Sequence, residues 1–547
     1  MMQNCKFCKT PFEISDDDLG FYKKLNVPVP TLCPDDRLRR RLSWRNERTL
    51  YHRTCDFCEK SMVALYPEDS SYTVYCQDCW WSDKWDPKKY GRDFDFSRGF
   101  FEQFDELMHE VPMYGLVNDF GSLENSDYVN YVTDGKNCYL TFAANFLEDV
   151  MYSSYVWQSK NILDCSYSTG LELCYDCIDC DLLYHCRSLQ NSKNCSDCMF
   201  GLGLSGCKHC FGCVNLNSKE YHFYNEPLER EEYEKRIEEI LSDFVKVEEE
   251  RKKFEQFTLN FPRKFALMIN CDGSTGNCIK NCKNCFECFE GYGGEDIKWV
   301  INFPGALKDS YDISGCKDVE MSVDSAVCFG HTLRYCNSIL NSASNLTLCA
   351  YMDSGYDMFG CIGMKKGSYS ILNKQYSRED YGDMVLRIVD HMKNTEEWGE
   401  FFPMRYSPFA YNETVANEYF PMGREEALTA GFRWNDPDLR EYGKSAVEIP
   451  RNIEDVTDDI LDKVLGCKKC NRNYKVNPEE LKFYRRQKIA VPELCHQCRH
   501  ENRLVRRSGR KLWQRTCDKC GDEISSIYHG ERREKVYCGK CYLEEIY

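Results

Sequence analysis

The chain has 547 residues, of which 36 are cysteine, and it carries a formal net charge of −17. This length is enough for several domains, and a hydrophobic content of 42% with 14% aromatic residues excludes a largely disordered chain. No apolar run reaches the about 18 residues of a membrane span and the first residues lack a signal-peptide core, so we expect a cytoplasmic protein. Because thiols stay reduced in that compartment, the cysteines predict metal ligands rather than disulfides.

The two ends of the chain are copies of each other. A shift of 462 positions places Cys5 on Cys467 and every later cysteine of the first copy on a cysteine of the second, without a gap. Self-similarity of this kind indicates a duplicated module, which we place at residues 1–84 and 463–547.

Each module carries pairs of ligand residues at metal-binding spacing. A Cys-x2-Cys turn directs two thiolates at one point, and two such turns complete a tetrahedron without an open position, which is typical of structural zinc. Iron is the alternative metal. The spacing predicts three or four zinc ions in the terminal modules with the following ligands: Cys5, Cys8, Cys33, Asp36, Cys55, Cys58, Cys76, Cys79, Cys467, Cys470, Cys495, Cys498, Cys517, Cys520, Cys538 and Cys541.

The first copy departs from the second at one ligand. Asp36 stands where the second copy has Cys498. A carboxylate oxygen can bind zinc at about 2.0–2.2 Å, so we expect either a weaker site of three thiolates and one carboxylate or a degenerate, empty site.

The N-terminal motif Cys5-Lys-Phe-Cys8, followed by Val-Pro-Thr-Leu-Cys33-Pro, resembles the family of probable zinc-ribbon domains, whose pattern ends in Cys-Pro-x-Cys-Arg. The whole chain is similar to uncharacterised bacterial proteins that carry such ribbons at both ends. The resemblance implies zinc and a treble-clef or ribbon fold in the terminal modules. It implies no established activity.

An arginine-rich stretch lies between the two ligand sets of each module. Residues 467–547 hold 20 Lys and Arg against 11 Asp and Glu, so basic ends flank an acidic middle. One interpretation is contact with nucleic-acid phosphates, and the other is compensation of the charge on zinc-bound thiolates. The candidate phosphate-binding residues are Arg37, Arg40, Arg41, Arg45, Arg499, Arg503 and Arg507.

The middle of the chain predicts a repeat structure of short coils. Small or apolar residues recur at every third position and along 12-residue columns, which fits neither an amphipathic helix nor ordinary alternation. A β-solenoid fits better, with one coil taking either 12 or 24 residues. A shift of 148 positions relates its two halves, which we place at residues 124–226 and 259–375.

Cysteines in the middle also form Cys-x2-Cys-x2-Cys runs, such as the one that starts at Cys174. Their columns interchange Cys with Val, Ile and Leu, which favours buried apolar core over ligands. Additional zinc and a redox cluster are the alternatives.

Amphipathic helices are predicted after each half, within residues 227–258 and 376–395. We expect them to cap the open ends of the coil stack, and a partner-binding role is the alternative. Aromatic-rich linkers are predicted at residues 85–123 and 396–462, and the second is expected to run along the solenoid.

These elements predict a mainly β, multidomain fold in which duplicated double-zinc modules flank a duplicated β-solenoid-like region with capping helices. No catalytic residue is predicted, and we expect a non-enzymatic zinc protein. Nucleic-acid binding through the arginine stretches, with RNA slightly favoured, is the first hypothesis for function. The second is a protein-interaction scaffold that uses the acidic middle. The third, a carbohydrate-active β-helix enzyme, has no paired carboxylates to support it.

Overall fold

The computed structural model describes residues 1–118, 120–436 and 447–546, so residues 437–446 of the predicted linker 396–462 lie outside the described residues. The described helices are α1 Asp16–Lys24, α2 Pro34–Leu42, α3 Gln77–Trp81, α4 Phe100–Glu110, α5 Arg230–Leu241, α6 Phe244–Phe257, α7 Arg378–Asn394, α8 Val415–Tyr419, α9 Arg424–Thr429, α10 Pro478–Gln487, α11 His496–Arg506 and α12 Gly539–Ile546. None of these is long and apolar enough to cross a bilayer.

Strands dominate the middle of the chain, where two large and mainly parallel sheets form two coil regions. The first coil region has strands Leu123–Glu124, Val129–Lys136, Thr141–Met151, Ser154–Leu163, Ser166–Thr169, Asp181–Tyr184, Arg187–Gln190, Lys193–Ser196, Met199–Leu202, Lys208–Val214, Glu220–Phe223 and Glu226–Pro227. The second has strands Met268–Ile269, Gly276–Lys280, Lys283–Phe286, Cys288–Tyr292, Gly294–Lys298, Ile301–Phe303, Leu307–Ser314, Val319–Glu320, Val323–Arg334, Asn337–Thr347, Ala350–Met352, Gly355–Phe359, Ser368–Ile371 and Lys374–Gln375.

Short two-stranded pairings make up the rest of the described strands. They are Met2–Asn4, Pro11–Glu13, Tyr51–Thr54, Ser61–Ala64, Val74–Tyr75 and Met113–Tyr114 before the coil regions, and Arg263–Lys264, Leu465–Gly466, Asn473–Tyr474, Trp513–Thr516, Glu523–Ser526 and Val536–Tyr537 after the first of them.

The coils turn at every third residue. Asp164 and Tyr167 have φ of 57° and 54°, and left-handed backbone recurs every three positions through most of the first coil region. Strands pair in parallel with the residue 12 positions away, as Phe142 does with Ser154 and Met199 with Phe211. One coil therefore takes 12 residues, which answers the question that the sequence left open. This register is the one that the predicted β-solenoid requires.

The interior of each coil region is filled by the residue that follows each corner. In the first coil region these residues include Cys186 and Cys198, which are almost fully buried in one apolar cluster with Val150 and Ile162. The central thiols donate to backbone carbonyl oxygens, as Cys186 does to Tyr184 at 3.3 Å. This environment supports the interpretation of the central cysteines as core.

Replacing Cys186 by Val is expected to change the unfolding free energy by less than about 1.5 kcal/mol, because both side chains are small and apolar. Thermal unfolding and zinc content together check this expectation. Cys186→Asp is the disruptive control, since it buries a carboxylate without a partner. A loss of metal in Cys186→Val would instead make the central cysteines ligands.

The chain forms two compact units, and both are discontinuous in sequence. Unit 1 contains residues 1–116 and 266–436, so the N-terminal module packs on the second coil region. Unit 2 contains residues 117–265 with most of 437–547, so the C-terminal module packs on the first coil region. Within unit 2, α5 and α6 pack on the last coils through Tyr233 and Phe254.

Candidate metal centres

Four groups of side chains could hold a metal ion, and all 16 predicted ligands belong to them. Two ligands of each group come from a Cys-x2-Cys turn between short strands. The other two come from the start of a helix: Cys33 is the N-cap of α2 and Cys495 is the N-cap of α11, with Asp36 and Cys498 three residues later. A helix N-terminus favours negative charge, which suits thiolate ligands.

The distances within these groups fit a tetrahedral metal. Four thiolates at about 2.3 Å from zinc lie about 3.8 Å from one another. The sulfur atoms of Cys8 and Cys33 are 3.7 Å apart, and those of Cys470 and Cys495 are also 3.7 Å apart. The equivalent distances in the other two groups are 3.8 Å for Cys58–Cys76 and 3.9 Å for Cys520–Cys538. The residues present therefore fit a closed zinc site.

Backbone amides stabilise the thiolate form of selected ligands. The N–H of Cys76 donates to Sγ of Cys55 at 3.1 Å, and the N–H of Cys538 donates to Sγ of Cys517 at 3.2 Å. Although burial opposes ionisation, backbone N–H donors lower the pKa of Cys517 to about 6, and burial with backbone donors gives the same balance at Cys467, whose pKa is also lowered to about 6.

Asp36 joins the three cysteines of its group. Its Oδ2 lies 3.1 Å from Sγ of Cys5 and 3.3 Å from Sγ of Cys33, and its Oδ1 is paired with Arg39 at 3.1 Å. Burial opposes the ionised form of Asp36, but thiol donors led by Cys8 and the charge of Arg39 hold its pKa below the usual range. The geometry is that of a group with three thiolates and one carboxylate.

An arginine–aspartate pair supports the second metal group of each module. Arg53 pairs with Asp56 at 2.9 Å, and the same carboxylate accepts a hydrogen bond from the Val74 backbone at 2.6 Å. Arg515 and Asp518 repeat this pair at 2.9 Å in the second copy. Such outer contacts fix the orientation of ligand-bearing turns.

The seven arginines predicted to contact phosphates are buried, each with at most 8% of its surface exposed. Arg37 pairs with Asp312 at 2.9 Å and donates to the carbonyl of Leu32, next to the ligand Cys33. Arg499 pairs with Asp164 at 2.8 Å and donates to the carbonyl of Leu494. Positions 312 and 164 are related by the shift of 148, so the two units repeat the same contact.

The next helical turn repeats the arrangement. Arg41 contacts Asp312, Asp324 and Ser314, the closest pair being the 2.7 Å contact with Asp324. Arg503 pairs with Asp164 at 2.6 Å and donates to Ser166 at 3.2 Å.

The remaining members of the arginine set are also engaged inside their units. Arg40 pairs with Asp324 at 2.7 Å and with Glu400. Arg45 pairs with Glu47 at 2.6 Å, and the Arg507 guanidinium lies 3.7 Å from the centre of the Tyr167 ring. None of the seven forms the phosphate-contacting surface that the sequence interpretation required, because aspartates of the coil regions and neighbouring side chains bury them.

The aspartates are the residues that sequence reasoning missed. Asp164 and Asp312 were part of a general acidic excess, and neither thiolates nor phosphates prove to be the main partners of the arginines. A signal was present, since Arg37 and Arg499 are equivalent under one duplication and Asp312 and Asp164 under the other.

Comparisons with known proteins identify no family for this chain. No protein-family model and no curated protein sequence matches it. One solved structure, named "putative acetyltransferase from Desulfovibrio desulfuricans G20", aligns with 9% identity over 44% of this chain and 63% of that chain, with a TM-score of 0.09. That similarity is too low to carry an argument about fold or activity. The chain is therefore characterised by its own metal groups and coil regions.

Proposed function

We propose that the protein is a zinc-stabilised protein-interaction scaffold. Four closed metal groups hold the two terminal modules rigid, and each module is fixed to a coil region by arginines that enter its acidic face. The observation that carries the proposal is the burial of all seven arginines predicted to bind phosphates, since it removes the main basis for a nucleic-acid binder.

Zinc is the metal that best fits this proposal. Groups of four thiolates at tetrahedral distances favour zinc or iron, and the group that contains Asp36 is better suited to zinc, which accepts carboxylate together with thiolate ligands. With all four positions supplied by the chain, the metal would stabilise structure and would have no open site for substrate. Folding free energy and metal affinity are then the same quantity.

Fluorescence anisotropy with labelled single-stranded RNA and double-stranded DNA tests the proposal. At about 50 mM salt, zinc-loaded protein is expected to show no salt-sensitive binding, because the arginine charges are neutralised within each unit. A complex of purified components that survives nuclease treatment is expected instead.

Two outcomes would overturn the scaffold proposal. One is affinity for RNA that falls steeply with salt while metal content stays constant, since each phosphate contact contributes a slope of about 0.7 in log K against log salt. The other is that every complex formed by the protein dissolves on nuclease treatment.

A further inference from the structure

A large cleft opens within unit 2. Its volume is 1390 Å³, and its walls come from α5, α6, α11 and the outer face of the first coil region. The floor is apolar and includes Met199, Phe200 and Phe211. A cleft of this size on a rigid surface is large enough for a peptide segment.

Unit 1 fills the equivalent place with its own chain. Residues 397–402 (Glu-Trp-Gly-Glu-Phe-Phe) run from the end of α7 across the second coil region. Trp398 stacks on Phe359 at 6.4 Å, and Phe402 stacks on Phe104 at 4.6 Å. Phe402 is only 1% exposed, so the segment is an integral part of the core of unit 1.

The residues that hold this segment have counterparts in the cleft of unit 2. In unit 1, Glu400 pairs with Arg40 and accepts a hydrogen bond from Thr31 at 2.6 Å, Gly399 lies against Pro28, and Phe402 packs on Trp44. Under the two duplications, Pro28, Thr31, Arg40, Trp44 and Phe359 correspond to Ala490, Glu493, Asn502, Arg506 and Phe211. All five counterparts line the cleft. The cleft is thus the vacant equivalent of a peptide-filled groove.

An arginine in the cleft lacks the partners that its counterpart has. Arg187 lies two coils before Phe211, and Arg334 lies two coils before Phe359. Arg334 donates to the carbonyl of Leu25 at 3.1 Å and to Asn345 at 3.0 Å. The guanidinium of Arg187 makes no hydrogen bond or ion pair with any residue that the structure describes. Burial lowers the pKa of Arg187 to about 10, the direction expected for a desolvated cation without a counter-charge.

A second cation of the cleft is also incompletely paired. Nη1 of Arg263 is buried and has no hydrogen-bond partner among the described residues. Burial lowers the pKa of Arg263 as well. Two desolvated guanidinium groups beside an apolar floor favour a ligand that supplies carboxylate and aromatic groups together.

We infer that the cleft of unit 2 binds an extended segment of a partner protein in which an acidic residue adjoins aromatic residues, as in residues 397–402 of unit 1. The segment's carboxylate would pair with Arg187, and its aromatic rings would cover Phe200 and Phe211. This inference rests on the proposed function, because it assigns the scaffold's partner to one site.

A peptide copied from unit 1 is a direct probe. Residues 394–404 (Asn-Thr-Glu-Glu-Trp-Gly-Glu-Phe-Phe-Pro-Met), labelled with a fluorophore, are titrated with full-length, zinc-loaded protein and followed by polarisation. Saturable binding is expected. Replacing the three Glu of the peptide by Gln is expected to weaken binding by about 10-fold, as is typical of the loss of a charged hydrogen bond.

Matched variants locate the binding. Arg187→Gln is expected to cause the same loss of about 10-fold, while Arg334→Gln, at the equivalent position of unit 1, is expected to leave the affinity unchanged. Ala490→Trp, which adds an indole to the cleft wall, is expected to abolish binding without loss of zinc.

Binding that is unaffected by both Arg187→Gln and Ala490→Trp, or the absence of saturable binding, would overturn the inference. The proposed function would still stand if a nuclease-resistant protein complex forms equally well with Ala490→Trp. If no such complex forms with wild-type protein, the scaffold proposal itself fails.

Discussion

Replacing Asp312 by Ala is expected to destabilise unit 1 by about 3–5 kcal/mol. Asp312 is 1% exposed in its side chain and contacts both Arg37, at 2.9 Å, and Arg41, at 3.4 Å. Removing the carboxylate leaves two guanidinium groups in a buried place where one fewer carboxylate, Asp324, remains. The large cost comes from these uncompensated charges rather than from the net worth of the ion pairs.

The duplication supplies both a replicate and a control for this prediction. Asp164→Ala should destabilise unit 2 by a similar amount, because Asp164 neutralises Arg499 and Arg503. Asp309→Ala, which removes an exposed partner of Lys24 at 3.5 Å, should cost less than about 1 kcal/mol. Chemical denaturation read by tryptophan fluorescence checks all three. Equal effects of Asp312→Ala and Asp309→Ala would show that the buried contact contributes little.

Complete removal of metal is expected to unfold both terminal modules, with an apparent loss of about 10–16 kcal/mol per structural site. The four groups should not empty at the same rate. The group that contains Asp36 has one carboxylate in place of a thiolate, so its ion should leave first when the protein meets a mild chelator.

Elemental analysis and release kinetics check this second prediction. We expect four zinc ions per chain and a fast phase of one ion, and Asp36→Cys should convert the fast phase to the slow one. Cys186→Val, far from the four groups in sequence, is the control that should release metal as the wild type does. Stoichiometric iron, or a fast phase that survives Asp36→Cys, would contradict the assignment.

The metal groups were predictable from the sequence because their geometry is local. A Cys-x2-Cys turn fixes the separation of its two thiolates, and the repeat at Cys467 and Cys470 reproduces Cys5 and Cys8 in register. The predicted column through Cys186 and Cys198 also lies in the core, because a 12-residue step in the sequence is one coil in space.

Long-range pairing could not be predicted in the same way. Arg503 and Asp164 are 339 positions apart, and local composition says nothing about which acidic residue a guanidinium will meet. The arginine stretches were therefore assigned to phosphates or thiolates, which are local or external partners. The cleft of unit 2 escaped notice for the same reason, since its walls come from three distant parts of the chain.

The discontinuity of both units has a consequence for the order of folding during synthesis. Arg41 and its partner Asp312 are separated by 271 positions, so the N-terminal module emerges from the ribosome long before the surface on which it packs. The second half of unit 2 is made last of all. High contact order of this kind slows folding, because loop closure must precede the contacts that reward it. A nascent chain of residues 1–265 would hold a module and a coil region that belong to different units, with the acidic face of Asp164 still uncovered.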